Sequence, residues 1–274
     1  GAIRTDQCRG VRGLGIKLLG VDGKRALDDD TATTQDFIMV THREFLFKDA
    51  DDYLTKGMPI AFGLARLSDP ALRLGSWVLD AVNTNVFKRI GKQLPENFMV
   101  FVRANTHILG ETFHTSAPLR YGNNIVKMRY APASPEVRAL ADQPVTDPGI
   151  NAFQDMIVDY FAHHEAVYAL QVQFCTNEKD MPIEDATVEW KDSESPYHTV
   201  ATIRYPVQDP YTPERRAFGD DVLSFNSWRS IDAHRPLGSI NRLKRKVYEA
   251  SSNFRHQVNN APRLEPESES QLPT

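Results

Sequence analysis

Short strand-like segments recur along this chain of 274 residues, and they constrain its fold more than any other feature. In these segments β-branched and aromatic residues lie between clusters of Gly, Pro, Asn or Asp, a pattern typical of strands bounded by turns. The predicted strands are 11–21, 37–41, 98–103, 111–116, 124–130, 168–176 and 198–206. Such strands, with helices inserted between them and appended after them, favour an antiparallel barrel with peripheral helices.

Four other segments have the apolar spacing of helices, namely 49–66, 69–90, 150–164 and 235–256. In 69–90 the apolar residues are Leu72, Leu74, Trp77, Val78, Ala81 and Val82. We expect this helix and the one before it to pack on the core; a membrane-facing or partner-facing surface is the alternative. Length alone does not decide between one core and two; a single domain over residues 1–258 is what the family resemblance carried by the blocks quoted below implies. The tail 259–274, rich in Pro, Glu and Ser, is predicted to be disordered.

Composition excludes several classes of protein. With 41% hydrophobic and 25% charged residues the chain is typical of a soluble globular protein, and its net charge of −4 argues against a nucleic-acid partner. No apolar run of about 18 residues predicts a membrane span. The two cysteines, Cys8 and Cys175, are expected to be reduced thiols, which fits a cytoplasmic location. Phosphate-binding and dinucleotide-binding glycine motifs are absent from the sequence.

The segment 235–256 places one tyrosine, Tyr248, among many basic residues. On a helix, Lys244, Tyr248, Ser252 and Arg255 share one stripe, and Arg245 lies three residues before the tyrosine. Nearby positive charge, or a bound ferric ion, favours the phenolate form, which is the form that ligates iron. A basic surface helix with a half-buried tyrosine is the alternative interpretation.

This segment resembles the proximal haem helix of the catalase superfamily, in which a tyrosine is the axial ligand and an arginine follows seven residues later. Further blocks resemble the family in the same order. They are CRGVRGLGIKLLGVDG (8–23), QDFIMVTHREFLFKD (35–49), the strand pair within 168–208, and DDVLSFNSW (220–228). The chain is similar to the small catalase-related haem peroxidases, the branch that shares its fold with coral allene oxide synthase.

The resemblance implies an α+β fold, a catalase-like antiparallel β-barrel with inserted and C-terminal helices, and haem b as the cofactor. It implies that Tyr248 is the metal ligand. Lys244, Arg245 and Arg255 would tune that ligand or bind the haem propionates, and Ser252 lies on the same stripe. Phe45 retains an aromatic position of the family pattern, and Tyr53 falls where a ring stacks over the porphyrin.

The sequence departs from the family on the catalytic side of the haem. The family's distal asparagine aligns with Thr41, whose hydroxyl is a shorter group for orienting water or peroxide. The arginine four residues before the tyrosine is Lys244, which keeps the charge but lacks a planar fork. The family's distal histidine lies upstream of the first block, so we expect this sequence to lack the N-terminal segment that carries it.

Two functions therefore stay open. The first is a haem-dependent peroxidase or catalase-like enzyme acting on hydrogen peroxide or organic (lipid) hydroperoxides, with a small-molecule reductant and with Thr41 as a catalytic residue. The second is a non-catalytic descendant that binds haem or another flat apolar ligand. A homodimer is compatible with either function.

Overall fold

The computed structural model describes residues 4–92, 94, 99 and 101–273. Its centre is a seven-stranded antiparallel sheet that curls into a half-barrel, with the order β1-β2-β3-β5-β6-β7 and β4 paired on β5. The strands are β1 (Gly13–Leu18), β2 (Gln35–Val40), β3 (Phe113–His114), β4 (Leu119–Tyr121), β5 (Asn124–Pro132), β6 (Ala166–Phe174) and β7 (His198–Tyr205). The predicted α+β class and antiparallel barrel topology are confirmed.

The register of β5 against β6 separates an apolar face from a polar face. The pairs Met128↔Val172 and Tyr130↔Leu170 contribute to the buried core. The intervening pair Lys127↔Gln173 points to the opposite face, because successive side chains alternate across a strand. Polar side chains that are almost fully buried therefore lie on the second face of this sheet, beneath the segment that joins β6 to β7.

The helices follow the predicted segments closely. They are α1 (Ala50–Asp52), which continues through a π turn (Tyr53–Gly57) into α2 (Met58–Arg66), then α3 (Asp69–Val82), α4 (Pro135–Arg138), α5 (Ala152–Phe161), α6 (Pro213–Ala217) and α7 (Gly238–Val258). Within the described ranges, no helix is long and apolar enough to cross a membrane.

One predicted strand is wrong. Within 98–103, Met99, Phe101 and Val102 are helical, whereas Phe98 and Val100 lie outside the described residues. A short continuous apolar run has no periodicity that distinguishes a strand from a buried helix, and this ambiguity explains the error.

The expected packing of α3 on the core is also wrong. Leu74 and Trp77 expose 62% and 66% of their surface, while Ser76 is buried. The reason is that polar contacts hold this helix: Arg4 pairs with Asp69 at 2.9 Å, and Arg9 pairs with Asp80 at 2.9 Å. The N-terminal segment therefore packs against the polar side of α3, and the apolar side stays open.

Part of the C-terminal tail is held by ion pairs. The Glu265 carboxylate lies 2.9 Å from Lys17 Nζ and 2.7 Å from Arg229 Nη1, and it accepts a hydrogen bond from Thr34 Oγ1 at 3.0 Å. These contacts would anchor the tail at Glu265 through two buried cations of the folded domain, a feature that composition alone does not reveal.

The start of α7 is fixed by a glycine. Gly238 has φ +83°, and a Cβ at this position would lie 2.5 Å from the Ile183 carbonyl oxygen, so a larger residue would be strained here. Just beyond, the Asn241 amide donates to the Pro118 carbonyl at 2.8 Å, and Trp228 Nε1 donates to the Asn241 carbonyl at 2.6 Å. These contacts anchor the helix that carries Tyr248.

Candidate functional site

Tyr248 lies on the wall of a surface cleft of about 230 Å³, formed between α7 and the segment before it. Phe225 and Trp228 provide apolar walls. The polar walls are formed by Arg229, Arg245 and Ser252 and by the carboxylates of Asp29, Asp30 and Glu249. None of the described residues forms a hydrogen bond with the Tyr248 hydroxyl. The phenolic oxygen is therefore a polar atom open to a ligand.

The charge state of Tyr248 differs from the sequence-based expectation. Burial raises the pKa of Tyr248, and the neighbouring Tyr53 raises it further. The cations that were expected to lower it reach elsewhere: Lys244 Nζ lies 5.5 Å from the Phe45 ring centroid, and Arg245 lies over Trp228 at 5.8 Å. In the ligand-free protein the phenol is therefore neutral at physiological pH, and only a bound cation such as ferric iron would favour the phenolate.

Lys244 is a cation without a counter-charge. Among the described residues, no carboxylate lies within 4 Å of its ammonium and no hydrogen bond to it is formed; the Phe45 ring face is its contact. Burial lowers the pKa of Lys244 to about 8. Phe45 in turn packs on Tyr53, with ring centroids 6.0 Å apart. The structure thus brings Phe45, Tyr53, Lys244 and Tyr248 together.

The remaining α7 residues divide into two groups. Arg245 and Ser252 line the Tyr248 cleft, and the Ser252 hydroxyl is buried without a hydrogen-bond partner among the described residues. Arg255 points away from the cleft, because its guanidinium donates to the carbonyl oxygens of Asp220 and Leu223, each at 2.5 Å. It caps the turn before α7 in this state.

Thr41 lies outside the Tyr248 cleft. Its backbone N–H donates to the Arg12 carbonyl at 3.0 Å, and its Oγ1 accepts from the Arg12 N–H at 3.2 Å. Its side chain lines a different cavity of about 360 Å³, which does not include Tyr248. The predicted site residues do not share one cavity: Tyr248, Arg245 and Ser252 line one, Thr41 lines another and Lys244 lines a third.

Sequence reasoning overlooked two arginines at these cavities, Arg229 beside Tyr248 and Arg12 beside Thr41. Arg12 lies within the block 8–23 and Arg229 directly follows the block 220–228, and a basic residue in or beside a block that resembles the catalase family is the signal that could have identified them. Within the described part of the chain, no three His, Cys, Asp or Glu side chains converge to form a metal site.

The half-barrel and its helices define a catalase-like fold. A fungal catalase crystal structure matches with a TM-score of 0.61 and 12% identity, over 96% of this chain and 52% of that one. Catalase A from Saccharomyces cerevisiae gives 0.60 and 12%, over 96% and 55%. A bacterial catalase gives 0.55 and 11%, over 92% and 48%. The chain spans about half the length of these catalases. No protein-family model and no curated protein sequence matches it.

Proposed function

We propose that this protein binds haem b through Tyr248 and acts as a haem-dependent peroxidase on hydrogen peroxide or an organic hydroperoxide, with a small-molecule reductant. The observation that carries the proposal is the Tyr248 hydroxyl, which opens into a cleft without a protein partner on a catalase-like fold. Because none of the described residues bonds to this oxygen, a ligand could bind it without displacing a protein contact.

The donor chemistry of the cleft fits an iron-bound phenolate. When a phenol ligates ferric iron it gives up its proton, and the resulting negative charge would lie one helical turn from the uncompensated ammonium of Lys244. The Ser252 hydroxyl, one turn further, is a buried donor without a partner. A phenolate at Tyr248 would therefore supply a negative charge near the Lys244 ammonium and a hydrogen-bond acceptor near the Ser252 hydroxyl.

The other residues of the cleft suit the periphery of a porphyrin. Arg245 has no carboxylate within 4 Å among the described residues and is available for a propionate, whereas Arg229 already pairs with Asp36 and Glu265. Arg255 would have to leave two carbonyl groups before it could bind a propionate. When bound, haem supplies a redox-active iron, while Phe45 and Tyr53 would keep water from the phenolate oxygen.

The position of Thr41 favours a second candidate function, a haem-binding protein without peroxidase activity. The Thr41 hydroxyl lines the other cavity and accepts a hydrogen bond from the Arg12 backbone. Enzymatic activity would require this hydroxyl, or another donor, to reach a peroxide held at the cofactor. A turnover assay with hydrogen peroxide and with cumene hydroperoxide separates the two candidates.

Haem binding itself is tested by titrating the protein with hemin and recording the visible spectrum. We expect a Soret band with the wild-type protein, and binding weakened by about 100-fold or more in Tyr248→Phe, which keeps the ring but removes the ligand oxygen. Tyr211→Phe, at an exposed tyrosine outside the cleft, is the matched control and should bind like wild type. No Soret band in the wild-type protein, or the same spectrum for both variants, would refute the proposal.

A further inference from the structure

The cavity at Thr41 is a separate candidate binding site. Its volume of about 360 Å³ lies within the range of small-molecule sites, and the residues that line it come from the segment before β1, the segment after β2, the region before β3, and α5. Apolar surface is contributed by Met99, Ile108 and Phe153. The cavity therefore combines an apolar floor with several charged side chains.

Arg12 is the unpaired charge in this cavity. Its guanidinium stacks on Phe153 at 4.6 Å, and its Nη2 donates to the Cys8 carbonyl at 2.7 Å and to Asn105 Oδ1 at 3.3 Å. Its Nε is buried and has no hydrogen-bond partner among the described residues, and no carboxylate of those residues lies within 4 Å. The guanidinium thus has donors left for an anion.

The other charged groups on the cavity wall are paired. Arg103 Nη2 lies 3.0 Å from Glu111 Oε2, and Arg43 pairs with Glu44 at 3.5 Å, with Glu189 at 3.2 Å and with Asp192. Among the arginines that line the cavity, Arg12 is therefore the one without a carboxylate of the described residues within 4 Å. An anionic occupant would supply the ion-pair partner that Arg12 lacks.

We infer that this cavity binds an organic monocarboxylate, with its carboxylate on Arg12 and its hydrocarbon part along Phe153, Ile108 and Met99. A planar guanidinium suits a carboxylate because it can donate two parallel hydrogen bonds. The apolar floor accommodates a short acyl chain rather than a second polar group. This inference is independent of haem binding, because no residue of the Tyr248 cleft lines the cavity.

The test is calorimetric titration with hexanoate and with hexanol, which has the same chain without the charge. We expect hexanoate to bind at least about tenfold more tightly than hexanol, and Arg12→Gln to remove this preference. Arg120→Gln is the matched control, since Arg120 is paired with Asp232 outside the cavity and should leave hexanoate binding unchanged. If Arg12→Gln fails to fold, Phe153→Leu serves instead and should weaken both ligands. Equal binding of hexanoate and hexanol, no binding of hexanoate, or wild-type binding by the variant would overturn the inference.

A different observation concerns the outer surface of α2 and α3. Eleven large apolar side chains between residues 54 and 90 are exposed. They are Leu54, Met58, Ile60, Phe62, Leu67, Leu74, Trp77, Val78, Val82, Val86 and Ile90. Scattered single exposures are normal, but eleven exposed large apolar side chains within 37 residues indicate an interaction surface.

Charge decides which partner this surface fits. The segment 54–90 contains two acids, Asp69 and Asp80, and both are paired with arginines of the N-terminal segment. Four exposed basic residues, Arg66, Arg73, Lys88 and Arg89, have no carboxylate within 4 Å among the described residues. The surface is therefore apolar and positively charged, so a second copy of the same surface would be repelled.

We propose that α2 and α3 dock on an anionic lipid surface, lying in the plane of the interface. Exposed Trp, Phe and Leu side chains would enter the boundary between headgroups and acyl chains, and the four basic residues would face the lipid phosphates. Arg66 already stacks on the Phe62 ring at 3.9 Å, which places a cation beside an inserting side chain.

Vesicle co-sedimentation tests this surface. We expect the protein to bind vesicles of phosphatidylcholine mixed with phosphatidylglycerol at least about tenfold more tightly than vesicles of phosphatidylcholine alone. Trp77→Ser should weaken that binding by about tenfold, whereas Phe254→Ser should not, although Phe254 on α7 is equally exposed at 69%. Equal binding to both vesicle types, no binding, or a concentration-dependent dimer that Trp77→Ser dissociates would overturn the proposal.

Discussion

Replacing Asp36 with asparagine is expected to lower the free energy of unfolding by about 3–5 kcal/mol, measured by urea denaturation at neutral pH. The Asp36 side chain is fully buried; its carboxylate lies 2.5 Å from Lys17 Nζ and 2.9 Å from Arg229 Nη1, and it accepts the Asn226 N–H at 2.9 Å. Without that carboxylate, two buried cations would share Glu265 alone. Removing one partner of a buried pair leaves an uncompensated charge, which is the reason for the large effect.

The double variant Asp36→Asn with Lys17→Met provides the control. It removes one anion and one cation, so Arg229 and Glu265 remain as a balanced pair, and we expect more than half of the lost stability to return. Burial raises the pKa of Asp36 in spite of Lys17 and Arg229, which indicates that desolvation is the larger cost in this network. If the double variant is as unstable as the sum of its single variants, buried charge balance is not what Asp36 provides.

The sheet could be predicted from the sequence because its strands carry local signals. β-branched and aromatic residues bounded by turns located β1, β2, β5, β6 and β7 within a few residues. The three residues of β4 gave no such signal, since their strand conformation depends on pairing with β5 and with the segment before α7. The strand prediction for 98–103 failed for a related reason. Local apolarity predicts that these residues are buried, but it does not specify whether they pack as a strand or as a helix.

The candidate site was predictable to the extent that it lies on one helix. The spacing of Lys244, Tyr248 and Ser252 follows from helical periodicity, and these residues do lie on one stretch of α7. The directions of Lys244 and Arg255 were not predictable, because they depend on Phe45 and on carbonyl groups of 220–223 that tertiary folding brings to the helix. The pKa of Tyr248 depends on the same long-range packing.

Acid should destabilise this protein through His114. Burial, together with the nearby cations Arg129, Arg43 and Lys127, lowers the pKa of His114 to about 3, against a smaller opposing effect of Asp192. The unfolded chain binds a proton near the ordinary histidine pKa of about 6.5, whereas the folded protein does not. Stability is therefore complete above about pH 6.5 and falls as the pH decreases toward 3.

Between about pH 7 and pH 4 this single group is expected to remove about 3 kcal/mol of stability, measured by urea denaturation across that range. His114→Gln removes the titrating ring and should flatten the acid limb of the stability profile by that amount, whatever its stability at pH 7. His163→Gln is the matched control, because His163 is exposed on the loop after α5. His114 Nδ1 is buried without a hydrogen-bond partner among the described residues, so no acceptor there stabilises the protonated ring. If the free energy of unfolding falls by the same amount between pH 7 and pH 4 in wild type and in His114→Gln, carboxylates rather than this histidine dominate acid unfolding.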